Sequence, residues 1–197
     1  MEFQDALRQY DFDLPQDRIA QEPASPRDSA KLLVFDRKTG DVHWTVFRDI
    51  GTFLPKHSLL VLNDTRVIPA RLFFTDPKKR VIPALVLGHD QGLIRVLAPK
   101  RLSIGDLLTI DADHSCTVEA RDEKVWMLRP SFSMTELPSI LERSGHTPLP
   151  PYIKHCPLDE EALRREYQSV FAAHPGSIAA PTASLHFTPE LLEQLQK

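Results

Sequence analysis

From Val67 to Pro130 the chain is written almost entirely in short β-type runs. "VIPARLFF", "VIPALVLG", "LIRVLA", "DLLTI", "CTVEA" and "KVWMLRP" follow one another, separated by "TDPKKR", "HDQG", "KRLSIG", "DADHS" and "RDE". Each run is too short for a helix of ordinary length and each break is polar. Six strands at such close spacing predict a small antiparallel barrel or sandwich. Pro83 lacks the N–H a ladder needs, so the second run is expected at an edge or at a bulge. Glycine is scarce (7) and proline abundant (17), so turns are set mostly by Pro, Asp and Asn.

The flanks have a different texture. Pro15 suits a first helical position and opens a short helical turn. A Pro-rich irregular stretch runs from Glu22 to Asp28. "KLLVFDR" and "DVHWTVF" read as two strands around Lys38-Thr39-Gly40-Asp41, and "RDIGTFL" as a short helix or turn. "SLLVLND" is a continuous apolar run ending in Asn63 and Asp64, the pattern of a buried strand whose end reaches a functional edge. Beyond Pro130, Thr135 can cap "ELPSILERS", which Gly145 ends. Asp159 can cap "EEALRREYQSVFAAH", with Leu163, Tyr167, Val170, Phe171 and His174 on one stripe and Gly176 as a stop. Thr188 and Pro189 open a last helix. The order is α/β, then all-β, then α. The β module, residues 67–146, is therefore expected as an insertion between residues 1–66 and 147–197.

Composition limits the remaining choices. Among 197 residues, 42% are hydrophobic, enough for a core, yet no apolar run reaches the ~18 residues a membrane span requires. "MEFQDALRQY" lacks the basic start and apolar stretch of a signal peptide, which makes the cytoplasm the default. Cys116 and Cys156 have no metal-ligand spacing and read as unpaired thiols. The histidines form no zinc motif. The net charge of −3 argues against a nonspecific nucleic-acid coat, though local clusters at Lys78-Lys79-Arg80 and Lys100-Arg101 could meet phosphate or simply line solvated turns.

Three stretches carry residues suited to chemistry. In "NDTRVIPAR", Asn63, Asp64, Thr65 and Arg66 follow the apolar run, and Arg66 and Arg71 offer planar forks for carboxylate or phosphate. The plainer alternative is an Asx-turn with two surface arginines. In "GHTPLPPYIK", a proline-stiffened backbone could hold Tyr152 for stacking on a base and His146 for proton transfer, or could be an interdomain strut. In "GSIAAPTASLHFT", small residues allow close approach, and His186 could act as acid, base or donor, or be a satisfied core histidine. No P-loop, dinucleotide glycine motif or serine elbow is present.

Taken together and in order, "DFDLPQDRIAQEPASPRDSAKLLVFDR", "LLVLNDTRVIPARL", "GHTPLPPYIK", "EYQSVF" and "AAPTASLHFT" resemble the S-adenosylmethionine:tRNA ribosyltransferase-isomerase family of queuosine biosynthesis. The resemblance runs from about Asp11 to Leu195. It implies an α/β fold, here a partial α/β-barrel-like domain with a small inserted antiparallel β-barrel. It implies transfer and rearrangement of the ribosyl part of S-adenosylmethionine onto aminomethyl-deazaguanine at the wobble position of a tRNA with a GUN-type anticodon, with no metal. Under it, His186 and His146 are the catalytic residues, for proton transfer or its orientation. Asn63, Thr65, Arg66, Arg71, Tyr152 and Thr182 bind substrate. The family pattern is longer and continues beyond "LLEQLQK". It usually carries glycine where Ser184 stands, a position where positive φ or close approach would favour glycine. It also usually carries a glutamate in the strand that here reads "VIPALVL". The short length fits a fragment, one subunit of a split enzyme, or a paralogue that binds without catalysis. An incomplete barrel has open edges, so a homodimer or a second subunit is expected.

Overall fold

The computed structural model describes residues 3–99 and 101–196, so Lys100 of the second basic cluster lies outside the described residues. In chain order the strands are β1 (Lys31–Phe35), β2 (Val42–Val46), β3 (Thr65–Val67), β4 (Arg71–Thr75), β5 (Val81–Asp90), β6 (Leu93–Leu97), β7 (Leu107–Thr109), β8 (Ser115–Asp122), β9 (Val125–Pro130) and β10 (His174–Ser177). The helices are α1 (Phe3–Arg8), α2 (Leu137–Ser144), α3 (Glu160–Glu166) and α4 (Pro189–Leu195).

Six strands close into an antiparallel barrel in the order β4-β5-β6-β9-β8-β7. Alternation along each run decides which side chains enter it: Leu72 and Phe74 from β4, Ile82, Ala84 and Val86 from β5, Ile94 and Val96 from β6, Leu108, Cys116, Val118 and Leu128 from the rest. Each large apolar side chain so buried stabilises by about 1.5–3 kcal/mol. Burial pushes the Cys116 thiol up to about 12, and both cysteines are free. A closed barrel has no edge for Pro83, and the bulge of β5 falls instead between Val86 and Gly88. Val86 donates its amide to Ala70 on the β4 side. Pro83, three residues earlier, therefore points its missing donor toward β6, whose ladder has already ended at Leu85–Leu97. The Lys78-Lys79-Arg80 cluster is an ordered turn. The carboxylate of Asp76 accepts from the amides of Lys78 and Arg80 and pairs with the Arg80 side chain at 2.6 Å.

A second, smaller core joins Phe47, Phe187 and Leu191, with Leu32, Ile50 and Phe171 packed on it. The hairpin β1–β2 forms as its turn residues predict, and Phe47–Phe53 is a 3₁₀ segment. A parallel pair, β3–β10, ties the stretch after Asn63 to the stretch after α3.

Several expectations change. "SLLVLND" is not a strand, and it is exposed: it finds no neighbour among the described residues to complete a ladder. Pro15 stands just outside its 3₁₀ turn rather than within it. Ser133, not Thr135, is the cap before α2, in a capping box with Glu136. Asp159 does cap α3, but the helix stops at Glu166. Residues 168–174 spend their polar groups on β3 instead. Gln168 clamps Val67, its Oε1 accepting from the Val67 amide at 2.9 Å and its Nε2 donating to the Val67 carbonyl at 2.8 Å. The amides of Ala173 and His174 donate to the Asp64 carbonyl. His174 and Gly176 thus belong to β10, not to a helical stripe and its stop. Gly145 does end α2, but with φ −85°, not in the left-handed conformation of a glycine cap. "TASLH", Thr182–His186, is a 3₁₀ turn rather than part of a strand, and Ser184 is buried in it without positive φ.

Candidate functional site

The N-terminal Pro-rich segment, the connector after α2, α3 and the 3₁₀ turn at Thr182–His186 surround one cavity of about 290 Å³. Its walls bring together Tyr152, Thr182 and His186, residues 30 and 34 positions apart from Tyr152 in the chain. The lining is mostly apolar, with Leu149, Ile153, Leu163 and Leu185 among its members, and Arg27 and Glu166 set charge into it.

Local chemistry holds each wall in place. Gln21 accepts from the amides of Lys154 and His155 at 2.8 and 3.0 Å, fastening the N-terminal segment to the connector that carries Tyr152. Arg27 donates to Glu166 at 3.0 Å and to the Gln168 carbonyl at 2.9 Å, fastening the same segment to the end of α3. The His186 ring packs against Phe47, centroids 5.2 Å apart, and is half-buried. That burial holds the imidazole pKa below its ordinary value, aided by the Arg27 charge and opposed by a backbone hydrogen bond to Arg27. The shift favours the neutral imidazole, the form that accepts a proton. Burial, with Tyr152 nearby, pushes the Tyr167 phenol up to about 12, so it stays protonated.

Tyr167 also walls a second cavity of about 280 Å³, with Arg66, Glu142, Thr147, Arg164 and Gln168. Arg66 is exposed there, and no side-chain partner for it is found among the described residues. Arg164 is fully engaged, donating to Glu160, to Glu142 and to the Gly145 carbonyl.

The other sequence candidates stand elsewhere. Asn63 Oδ1 accepts from the Thr65 amide at 3.0 Å, forming the Asx-turn, and the Thr65 hydroxyl lies 3.5 Å from the His174 carbonyl. Neither lines either cavity. Arg71 and His146 exchange both backbone hydrogen bonds where the chain enters and leaves the barrel, and Arg71 donates to the Leu149 carbonyl at 2.9 Å. The His146 ring sits edge-on to Phe73, with Nδ1 3.4 Å from Glu160. Burial would raise the Glu160 pKa, but the Thr147 hydroxyl and amide, Arg164 and His146 together hold it below the ordinary range.

Sequence reading missed Arg27, Glu166 and Gln21. One signal was present: a charged residue inside an otherwise Pro-rich, irregular segment has little reason to be ordered unless it meets a partner. Among the described residues no group of three or more His, Cys, Asp or Glu is placed to hold a metal, and no helix is long and apolar enough to cross a membrane.

The fold and cavity define an α/β protein with a closed antiparallel barrel and a separate cavity lined by Tyr152, Tyr167 and His186. The chain belongs to the queuosine biosynthesis protein family, whose sequence model matches residues 7–197. It is similar to the S-adenosylmethionine:tRNA ribosyltransferase-isomerase of Syntrophomonas wolfei subsp. wolfei, 43% identical over 196 residues that cover 96% of this chain and 54% of the relative. The Thermotoga petrophila protein of the same name is 41% identical, over 97% of this chain and 56% of that relative. A solved structure, that of S-adenosylmethionine tRNA ribosyltransferase from Thermotoga maritima, is 28% identical with a TM-score of 0.35, covering 95% of this chain and 53% of the other. The chain spans about half the length of the curated relatives it matches.

Proposed function

We propose that this chain supplies the S-adenosylmethionine cavity of a tRNA ribosyltransferase-isomerase acting in the cytoplasm. The observation that carries the reading is the meeting of His186, Tyr152 and Thr182 in one mostly apolar cavity. A sulfonium nucleoside needs an apolar, water-poor bed, an aromatic surface for its base and a nearby proton acceptor. The sulfonium acidifies the adjacent 5′ carbon, and neutral His186 takes that proton. Tyr152 stacks on adenine, and the Thr182 hydroxyl bonds ribose. The ion pair Arg27–Glu166 fixes the cavity's N-terminal wall, and Arg66, in the adjoining cavity, takes the methionine carboxylate.

The aminomethyl nitrogen of deazaguanine, at the wobble position of a tRNA with a GUN-type anticodon, then acts as nucleophile on the activated ribosyl fragment. Adenine and methionine leave, and the base carries the epoxycyclopentanediol of epoxyqueuosine. His146 and Arg71, bound into the crossing beneath the connector, orient the Tyr152 segment. Asn63 and Thr65 hold the turn that presents Arg66.

The test is adenine release from S-adenosylmethionine in the presence of substrate tRNA, followed chromatographically. His186→Ala should keep its circular dichroism and lose at least ~100-fold in release, the scale of a general base. A folded variant with near-normal release removes His186 from the chemistry. Salt-dependent tRNA binding without any release would replace the enzyme reading by a binding one.

A further inference from the structure

Among the described residues, Tyr167 alone lines both the cavity that holds His186 and the cavity that holds Arg66. It is 8% exposed. Its amide donates to the Leu163 carbonyl at 2.8 Å, but its phenol oxygen has no hydrogen-bond partner among the described residues. The buried side-chain oxygens that are sealed off without a partner are Glu119 Oε2 and Ser169 Oγ, and the Tyr167 oxygen is not one of them. It therefore still meets open space, and the open space at this residue is the two cavities. A nearly buried hydroxyl left unbonded costs free energy until a ligand or water bonds it. The backbone beside it is anchored on both sides. Glu166 pairs with Arg27 at 3.0 Å, and Gln168 bonds both main-chain groups of Val67.

We infer that the Tyr167 phenol donates a hydrogen bond to the same ligand carboxylate that Arg66 pairs with, which makes Tyr167 a specificity-determining residue at the boundary of the two cavities. The inference rests on the S-adenosylmethionine reading above. In the Arg66 cavity the other polar side chains are already engaged. The Thr147 hydroxyl donates to Glu160, Gln168 is spent on Val67, and Arg164 bonds Glu160, Glu142 and the Gly145 carbonyl. Glu142, the acid in this wall, meets Arg164 at 3.0 Å and so does not cancel Arg66. What remains is one guanidinium and one phenol. The phenol keeps its proton, because burial pushes it up to about 12. Both groups are then donors, beside one uncompensated positive charge. That set suits a carboxylate, whose two oxygens can each take a donor. With the nucleoside on Tyr152 in the first cavity and the amino-acid tail in the second, Tyr167 stands where the ligand passes from one to the other. A site built to bond a polar group discriminates strongly against an analogue that lacks it.

The experiment titrates this chain and Tyr167→Phe with S-adenosylmethionine and with its decarboxylated form, by calorimetry. The parent should prefer the carboxylate-bearing ligand. Tyr167→Phe should bind S-adenosylmethionine about 10-fold or more weakly and bind the decarboxylated form within about twofold of the parent, the scale of one hydrogen bond to a charged acceptor. Its urea midpoint should match the parent's, because the deleted oxygen has no protein partner. Should Tyr167→Phe not fold, Tyr167→Met fills the same wall without a donor and is read in the same way. Three results overturn the inference: unchanged S-adenosylmethionine affinity in the variant, equal losses for both ligands, which would make Tyr167 a shape-filling wall, and a parent that does not distinguish the two ligands. Failure of the underlying reading looks different. A parent that binds neither ligand removes S-adenosylmethionine from these cavities and the inference with it, whereas the three results above leave S-adenosylmethionine binding by the parent intact.

Discussion

Gly145→Ala tests whether the crossing at the foot of the barrel is as tight as it looks. Gly145 has an ordinary φ of −85°, so alanine costs nothing in backbone conformation. Its new Cβ would stand 1.9 Å from the Pro69 carbonyl oxygen and 2.4 Å from that of Leu141. Both are main-chain atoms, and ordinary contact begins at 3.4 Å, so the segment at Pro69 must retreat by about 1.5 Å. That segment leads into Arg71, which shares hydrogen bonds of 3.1 and 2.8 Å with His146 one residue beyond the glycine. Overpacking costs about 1–3 kcal/mol, and each hydrogen bond lost adds about 1 kcal/mol. The substitution should therefore cost about 3–5 kcal/mol. With a urea slope near 2 kcal/mol/M, the unfolding midpoint falls by roughly 1.5–2.5 M. Gly92→Ala is the control: φ is +77° with nothing within 4 Å of the added carbon, so only the left-handed strain of about 1–2 kcal/mol applies. If Gly145→Ala lowers the midpoint less than Gly92→Ala, the steric argument fails.

Gln168→Ala removes both bonds to Val67; a loss of about 1–3 kcal/mol is expected, with amide protection falling at β3 but not in the barrel. Gln168→Glu keeps the acceptor but loses the donor, so it should recover part of that loss; equal destabilisation by both would dismiss the clamp. The depressed pKa of His186 gives a pH signature. Between its folded value and the ordinary 6.5, the unfolded chain binds the extra proton, so stability rises with pH through that window and is lost as pH falls through it. Subtracting the urea stability of His186→Gln from that of the parent should leave a difference that declines on acidification below pH 6.5, and a flat difference would contradict the burial argument.

The candidate site was legible only in pieces. His186, Tyr152 and Thr182 could be picked out by residue type, but nothing local says that they share a cavity. Arg27 and Glu166 are 139 positions apart, and their pairing is made by the fold. Arg71 and His146 look like free functional groups in the sequence. In the molecule their backbones are bound to each other and their side chains to Leu149 and Glu160.

What the sequence by itself determined is what alternation, turns and caps encode within a few residues. The six barrel runs show their inward faces, Lys38-Thr39-Gly40-Asp41 makes the hairpin turn, and Asp159 and Thr188 accept from the amides of Ala162 and Leu191. Closure of the barrel follows from those faces needing one shared interior. Tertiary structure decided where local signals were matched by stronger distant ones. A helical stripe after Glu166 gave way because Gln168, Ala173 and His174 found partners at β3. Gly145 is required by a carbonyl 76 positions away, at Pro69, and not by its own φ. The apolar run at residues 58–64 carries a strand's sequence without its structure, because a strand's hydrogen bonds belong to a pair and one member alone cannot supply them.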